Sequence, residues 1–146
     1  MHVARMFTVS RPITEVFDYL SDFEHTNEWD PGTVETRRTA GDGGIGTTYS
    51  NRSQFIGRET ELMYETVGFI RPTFFACRGI NKTATAIDSM TFSESGAGTR
   101  IGYRADFEFK GIAKFIAPII LPRKLESLAD ETVDQITKTL ENIATS

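Results

Sequence analysis

The stretch from Thr33 to Phe109 reads almost entirely as strands, while the segments on either side read as helix, and this partition restricts the fold more than any single motif. The opening residues read strand, helix, helix, from His2 to the turn Asp30-Pro31-Gly32. The closing residues read as one long amphipathic helix. A chain of 146 residues has the usual size of one domain, so the expectation is one sheet and one core over residues 1–146. Helices at the ends and strands between them give an α+β protein. A curved antiparallel sheet of six to seven strands packs one face on a long C-terminal helix, with two short helices after the first strand. Such a sheet and helix can enclose a cavity.

The elements follow from periodicity and turn chemistry. His2 to Ser10 alternates and predicts the first strand. Pro12 opens a short helix whose apolar face is Ile13, Val16, Phe17 and Leu20, and Ser21 with Glu24 has the spacing of a capping box for the next. Strands are then expected over 34–39, 46–53, 58–69, 73–80, 83–93 and 99–109. Their separators are a glycine-rich turn at 41–44, a turn near Ile56-Gly57, Arg71-Pro72, Asn81-Lys82, and 94–98. The clearest alternation is Ile101, Tyr103, Ala105, Phe107 and Phe109 on one face against Arg100, Arg104, Asp106 and Glu108 on the other. Residues 112–121 are apolar and interrupted by Pro118. They read as a kinked, buried approach to a helix of about 22 residues after Pro122, roughly 33 Å long, whose inner face carries Leu125, Leu128, Thr132, Ile136, Leu140 and Ile143.

Composition removes several functional classes. The net charge is -4 and no basic stripe is present, so a nucleic-acid partner is not expected. Residues 112–121 are too few to span a bilayer, and no stable membrane insertion is expected. The N-terminus lacks a secretory pattern, and the single cysteine, Cys77, has no partner for an internal disulfide; a cytoplasmic location follows as the expectation. His2 and His25 are the only histidines and no metal-ligand spacing occurs, so neither a metal nor a cofactor is expected. Gly41-Asp42-Gly43-Gly44-Ile45-Gly46 matches a dinucleotide-binding fingerprint letter for letter, but strand follows it where the fingerprint needs a helix. It reads as a hairpin.

The phrase from Ser10 to Asp22, the segment Asn27-Glu28-Trp29-Asp30-Pro31-Gly32, Gly98-Thr99-Arg100-Ile101-Gly102-Tyr103 and the proline-marked start of the last helix resemble the polyketide cyclase/dehydratase-like branch of the START/Bet v 1 superfamily. The likeness runs through nearly the whole chain. It implies a helix-grip fold, in which the sheet grips the C-terminal helix around an apolar cavity. It does not choose between carrier and enzyme, because the superfamily includes both.

The residues themselves suggest where a ligand would lie. Asp88 shares a strand face with Ala84, Ala86, Met90 and Phe92; facing a cavity, its carboxyl would be raised by desolvation into the range of a general acid or base. Arg78 on the neighbouring strand either pairs with it or binds an anionic group, and Tyr49, Tyr64 and Tyr103 offer phenol donors. The plainer alternative is a solvated Asp88–Arg78 pair at the sheet rim and three core tyrosines. Trp29 lines the cavity or packs the small helices on the sheet. With Met90, Phe107, Leu125 and Leu128 these complete the expected ligand-binding set, and Asp88, Arg78 and Tyr103 are the candidates for catalysis, should the protein be an enzyme. Three functions fit: binding of a small apolar or aromatic molecule, cyclase or dehydratase chemistry at the same site, and an adaptor whose core is filled by its own side chains. A monomer or homodimer is expected in each case.

Overall fold

In the computed structural model, residues 1–55 and 57–143 are described. Seven strands form one antiparallel sheet in the order β1-β7-β6-β5-β4-β3-β2: β1 (His2–Val9), β2 (Thr33–Ala40), β3 (Thr48–Phe55), β4 (Arg58–Ile70), β5 (Phe74–Ile80), β6 (Ala84–Ser95) and β7 (Gly98–Phe109). Six of the strands follow one another through hairpins, and β1 closes the row by pairing with β7 from His2↔Asp106 to Val9↔Thr99. Two short helices, α1 (Ile13–Leu20) and α2 (Thr26–Trp29), follow β1, and α3 (Ala113–Glu141) closes the chain. This is the helix-grip arrangement. The strand expectations agree with it except at the ends of elements, and the expected turn at Ile56-Gly57 falls partly outside the described residues.

The core lies between the concave sheet face and the helices. From α1 it takes Val16, Phe17 and Leu20, from the sheet Phe75, Met90, Phe92 and Ile101, and from α3 Ile136 and Leu140. Phe17 has no solvent exposure and meets the rings of Phe69 and Phe92 edge-on, with centroids 5.2 and 5.5 Å away. The far end of α3 is fixed to the start of the chain. The Arg11 guanidinium donates to the carbonyls of Leu140, at 3.0 Å, and Ile143, and the Ser10 amide donates to Glu141 Oε1 at 2.8 Å. Carbonyls left free by the helix terminus are thereby satisfied. Arg5 on β1 adds ion pairs to Glu126 and Asp130 on α3.

Three local expectations are corrected. Ser21 and Glu24 do not form a capping box: Asp22 Oδ1 accepts from the Glu24 amide, and Glu24 Oε2 instead accepts from the Arg38 amide on β2 at 2.7 Å. The carboxylate finds a better fixed donor across the fold than beside it. The C-terminal helix begins at Ala113, not after Pro122, and its 29 residues span roughly 44 Å. Pro118 and Pro122 both lie on its exposed side, one turn apart, where water can satisfy the carbonyls their missing amides leave free. Finally, the apolar run at the start of α3 is largely outside the core. Ile112, Phe115, Ile116 and Ile119 are exposed, whereas Ala117 and Leu121 pack with Leu125 against Phe55, Phe107 and Phe109.

Candidate functional site

Between the sheet and the middle of α3 lies a cavity of about 210 Å³. Ala86, Ala105 and Phe107 form its floor, and Leu125, Leu128 and Ala129 form its roof. Alternation along β6 and β7 puts Ala84, Ala86 and Asp88 beside Phe109, Phe107 and Ala105 on the concave face, with Tyr103 one pair further on, beside Met90. The small residues matter as much as the large ones. Four alanines on the walls, Ala84, Ala86, Ala105 and Ala129, leave open the volume that a leucine or phenylalanine would fill.

Beyond Asp88 and Tyr103 the same two strands carry Met90, Phe92 and Ile101, which fill the core completely. The cavity therefore stops at a polar end. Tyr103 donates to Asp88 Oδ1 at 2.9 Å. Tyr64, on β4, also faces this space, and its ring can lie there because residue 79 on β5 is glycine; a β-carbon at Gly79 would sit 2.6 Å from the ring. The fourth group is Asp30, in the turn after α2. Its Oδ1 accepts from the Gly32 amide at 3.1 Å and its Oδ2 from the Thr33 hydroxyl at 2.8 Å.

Burial, reinforced by the negative charge of Asp30, pushes the Asp88 carboxyl up to about 7, while hydrogen bonds from Tyr103 and Tyr64 act in the opposite direction. Burial raises Asp30 as well, against the bonds from Thr33 and Gly32. Tyr64 and Tyr103 are raised well above the ordinary phenol value by burial and by the charge on Asp88, so both remain protonated donors. At neutral pH one buried carboxyl is thus poised between its two protonation states, with a fixed phenol proton on it. Such a group can accept a proton, give one, or hold a ligand's donor.

Of the expected site residues, Tyr64, Asp88, Tyr103, Phe107, Leu125 and Leu128 line the cavity. Three others belong to the core behind it. Trp29 is 2% exposed and packs edge-on to Tyr103 with ring centroids 6.4 Å apart; Tyr49 packs against Phe23; Met90 is buried. Arg78 is corrected outright. It lies on the convex face, exposed, opposite Glu65 and Ile87, while its neighbour Cys77 is the residue that stands opposite Asp88. The two side chains are on opposite faces of the sheet, so the expected Asp88–Arg78 pair does not form. Cys77 is a buried thiol that desolvation pushes up to about 12, which makes it inert. Sequence reasoning missed Asp30, read there only as turn chemistry, and the polar residues Ser53, Thr60 and Asn81 on the walls; Thr132, expected on the inner face of the helix, lines the cavity too.

A second depression, about 340 Å³, lies between the N-terminus and residues Pro122 to Glu126. It is more open to solvent, and its described lining residues bring no cluster of buried polar groups together. Among the described residues, no group of three or more His, Cys, Asp or Glu is placed to hold a metal ion, and no helix is long and apolar enough to cross a membrane.

The family model described as polyketide cyclase / dehydrase and lipid transport matches residues 1–141. The chain belongs to this family. No curated protein matches it by sequence. Solved structures match over nearly the whole chain. TTHA0849 from Thermus thermophilus has a TM-score of 0.84 at 12% identity, covering 99% of this chain and 100% of its own. The Zhui aromatase/cyclase from Streptomyces sp. R1128 has a TM-score of 0.67 at 15% identity, covering 97% and 89%. A START superfamily protein from Mycobacterium smegmatis has 0.72 at 15%, covering 96% and 94%. At these identities the likeness establishes the shared helix-grip fold. Membership of the family supports a ligand-binding or cyclase role and leaves the choice to the chemistry of the cavity.

Proposed function

We propose that this member of the polyketide cyclase/dehydrase family binds a small apolar or aromatic molecule between the sheet and α3, with the polar end of the ligand on Asp88 and Tyr103. The observation that carries the reading is the cavity itself, with apolar walls along most of its length and one polar end. Ligand sites generally have this character, but their usual volume is about 300–1,000 Å³. An apolar cavity of about 150 Å³ suffices for benzene. At about 210 Å³ the present one suits one or two rings and not an extended four-ring polyketide. The adaptor reading requires a filled core, and the cavity counts against it.

Leu128 provides the test, since it is only half-buried and forms part of the roof. Calorimetric titration with 2-naphthol is expected to show saturable one-to-one binding to the unmodified protein. Leu128→Trp, which fills the cavity from the helix side, is expected to weaken it at least about tenfold, equivalent to about 1.4 kcal/mol, while the fold is retained by circular dichroism. Equal binding by a folded variant would remove the cavity as the binding site.

A second reading is favoured by one observation. A carboxyl near neutrality, held 2.9 Å from a phenol that stays protonated, is suited to moving a proton on or off a bound carbonyl compound. In this reading Asp88 is the general acid or base and Tyr103 the donor to the developing oxyanion, with Tyr64 beside them; Arg78 has no role. The pocket serves both readings, and catalysis adds a step to binding.

A further inference from the structure

The polar end of the cavity also restricts which ligand it accepts, given that the cavity is a ligand site at all. We propose that the preferred ligand is a compact aromatic or aliphatic amine, bound as the ammonium ion with its nitrogen between Asp88 and Asp30. Three observations lead there. Among the described residues that line the cavity, none is lysine, arginine or histidine, whereas two are aspartate. Neither Asp30 nor Asp88 takes part in an ion pair among the described residues, although carboxylates elsewhere do: Asp18 with Arg71, Asp106 with Arg104, Asp130 with Arg5. A buried carboxylate without a countercharge is costly, and a ligand cation would supply what the chain omits.

The third observation is the balance of donors and acceptors. Two carboxyl groups and two phenol hydroxyls meet at this end, and the Tyr103 proton is already committed to Asp88. Even with the Gly32 amide and the Thr33 hydroxyl counted, and with Asp88 protonated, the lone pairs of the two carboxyl groups outnumber the protons offered to them at this end. An ammonium group offers three. A carboxylate ligand, such as a fatty acid, offers none and adds a third negative charge to a space that already repels two.

The groups facing Asp88 are Tyr103 from β7, Tyr64 from β4, Cys77 from β5 and Asp30 from the turn after α2. Asp106 on β7 acts on it through its charge alone. From α3 the cavity receives Leu125, Leu128, Ala129 and Thr132, and from β1 it receives Val3, none of which titrates. Asp88 and Asp30 are therefore the two groups whose ionisation sets the pH dependence of amine binding, and Asp88→Asn separates the contribution of the first.

The test uses three probes of nearly equal size: 2-phenylethylamine, 2-phenylethanol and 3-phenylpropionate. Dissociation constants are measured by calorimetry at about pH 8 and about pH 5.5, for the intact protein and for Asp88→Asn. At about pH 8 the amine is expected to bind at least about tenfold more tightly than the alcohol, with the carboxylate weakest. Its lead should shrink roughly tenfold or more at about pH 5.5, where Asp88 has taken up its proton. Asp88→Asn should remove the lead while leaving the alcohol bound. A carboxylate that matches the amine at about pH 8, or a lead that survives Asp88→Asn, overturns the proposal. Binding of the alcohol without the amine overturns it while leaving the cavity reading intact, and failure of all three probes to bind defeats both.

Discussion

Asp88→Asn is expected to make the folded protein more stable at about pH 8, by up to about 4 kcal/mol. The sign follows from linkage. In the unfolded chain the carboxyl ionises near its ordinary value of 3.8; in the folded protein burial holds the proton until about pH 7. Below the lower value both states are protonated and the residue has no effect on stability. Between the two values the unfolded chain gains from ionisation and the folded protein does not, so stability falls as pH rises. Above about 7 the deficit is complete, and about three pH units correspond to about 4 kcal/mol. Asparagine is nearly the same size, can still accept the Tyr103 hydroxyl, and does not titrate. Urea denaturation at about pH 8 and about pH 4 checks the claim: the variant gains most of the difference at the higher pH and little at the lower. A variant less stable than the parent at about pH 8 would mean that the carboxylate is well solvated or paired. If the parent protein turns over a carbonyl substrate, the same change is expected to abolish turnover while leaving affinity for a neutral ligand. Stability given up at one buried carboxyl is the pattern expected of a functional group.

Phe17→Ala is expected to destabilise the protein by about 3–5 kcal/mol. Phe17 has no exposure and lies between Phe69 and Phe92, so truncation leaves a void bounded by two rigid strands and α1. Against a total stability of about 5–15 kcal/mol for a domain, such a loss is severe. Phe115→Ala supplies the control. The chemical change is the same, but Phe115 is 75% exposed near the start of α3, and its effect is expected to stay within about 0.5 kcal/mol. Thermal or urea unfolding of the two variants side by side measures the difference. Similar losses at both positions would show that the exposed run from Ile112 to Ile119 is buried in the folded protein.

The strands were legible because one face of the sheet is wet. Alternation from Arg100 to Phe109 assigns Tyr103 and Phe107 to the concave face without further information, and β6 does the same for Asp88. β5 resists this reading, since apolar residues stand at both parities, with Phe74 and Ala76 outward and Phe75 and Cys77 inward. The face of Arg78 is settled by pairing, Arg78↔Ile87 and Cys77↔Asp88, and pairing is tertiary information. Asp30 was hidden for a related reason. Asp-Pro-Gly accounts for itself as a turn, and the Asp30 bonds to Gly32 and Thr33 are those of a turn; only the packing of that turn against the sheet brings the carboxyl to Asp88. The start of α3 was obscured by Pro118 and Pro122, which argue locally against helix and are tolerated because they lie on its exposed side. A cavity between sheet and helix was expected, but its size and place have no sequence signature. It exists because small side chains at Ala86, Ala105 and Ala129 face one another, and which small residues meet is a property of the fold.

Occupation of the space between the sheet and α3 by a small ligand is read out by intermolecular NOE contacts in a complex with 2-naphthol. The methyl groups of Ala86, Ala105 and Ala129 face the cavity from two strands and the helix, so a ligand in place reports all three at once. Cross-peaks are expected from the naphthol ring to these three methyls and to Leu128. Cross-peaks confined to the exposed residues Ile112 and Ile119, or no contact with any of the three alanines, would contradict occupation of this space.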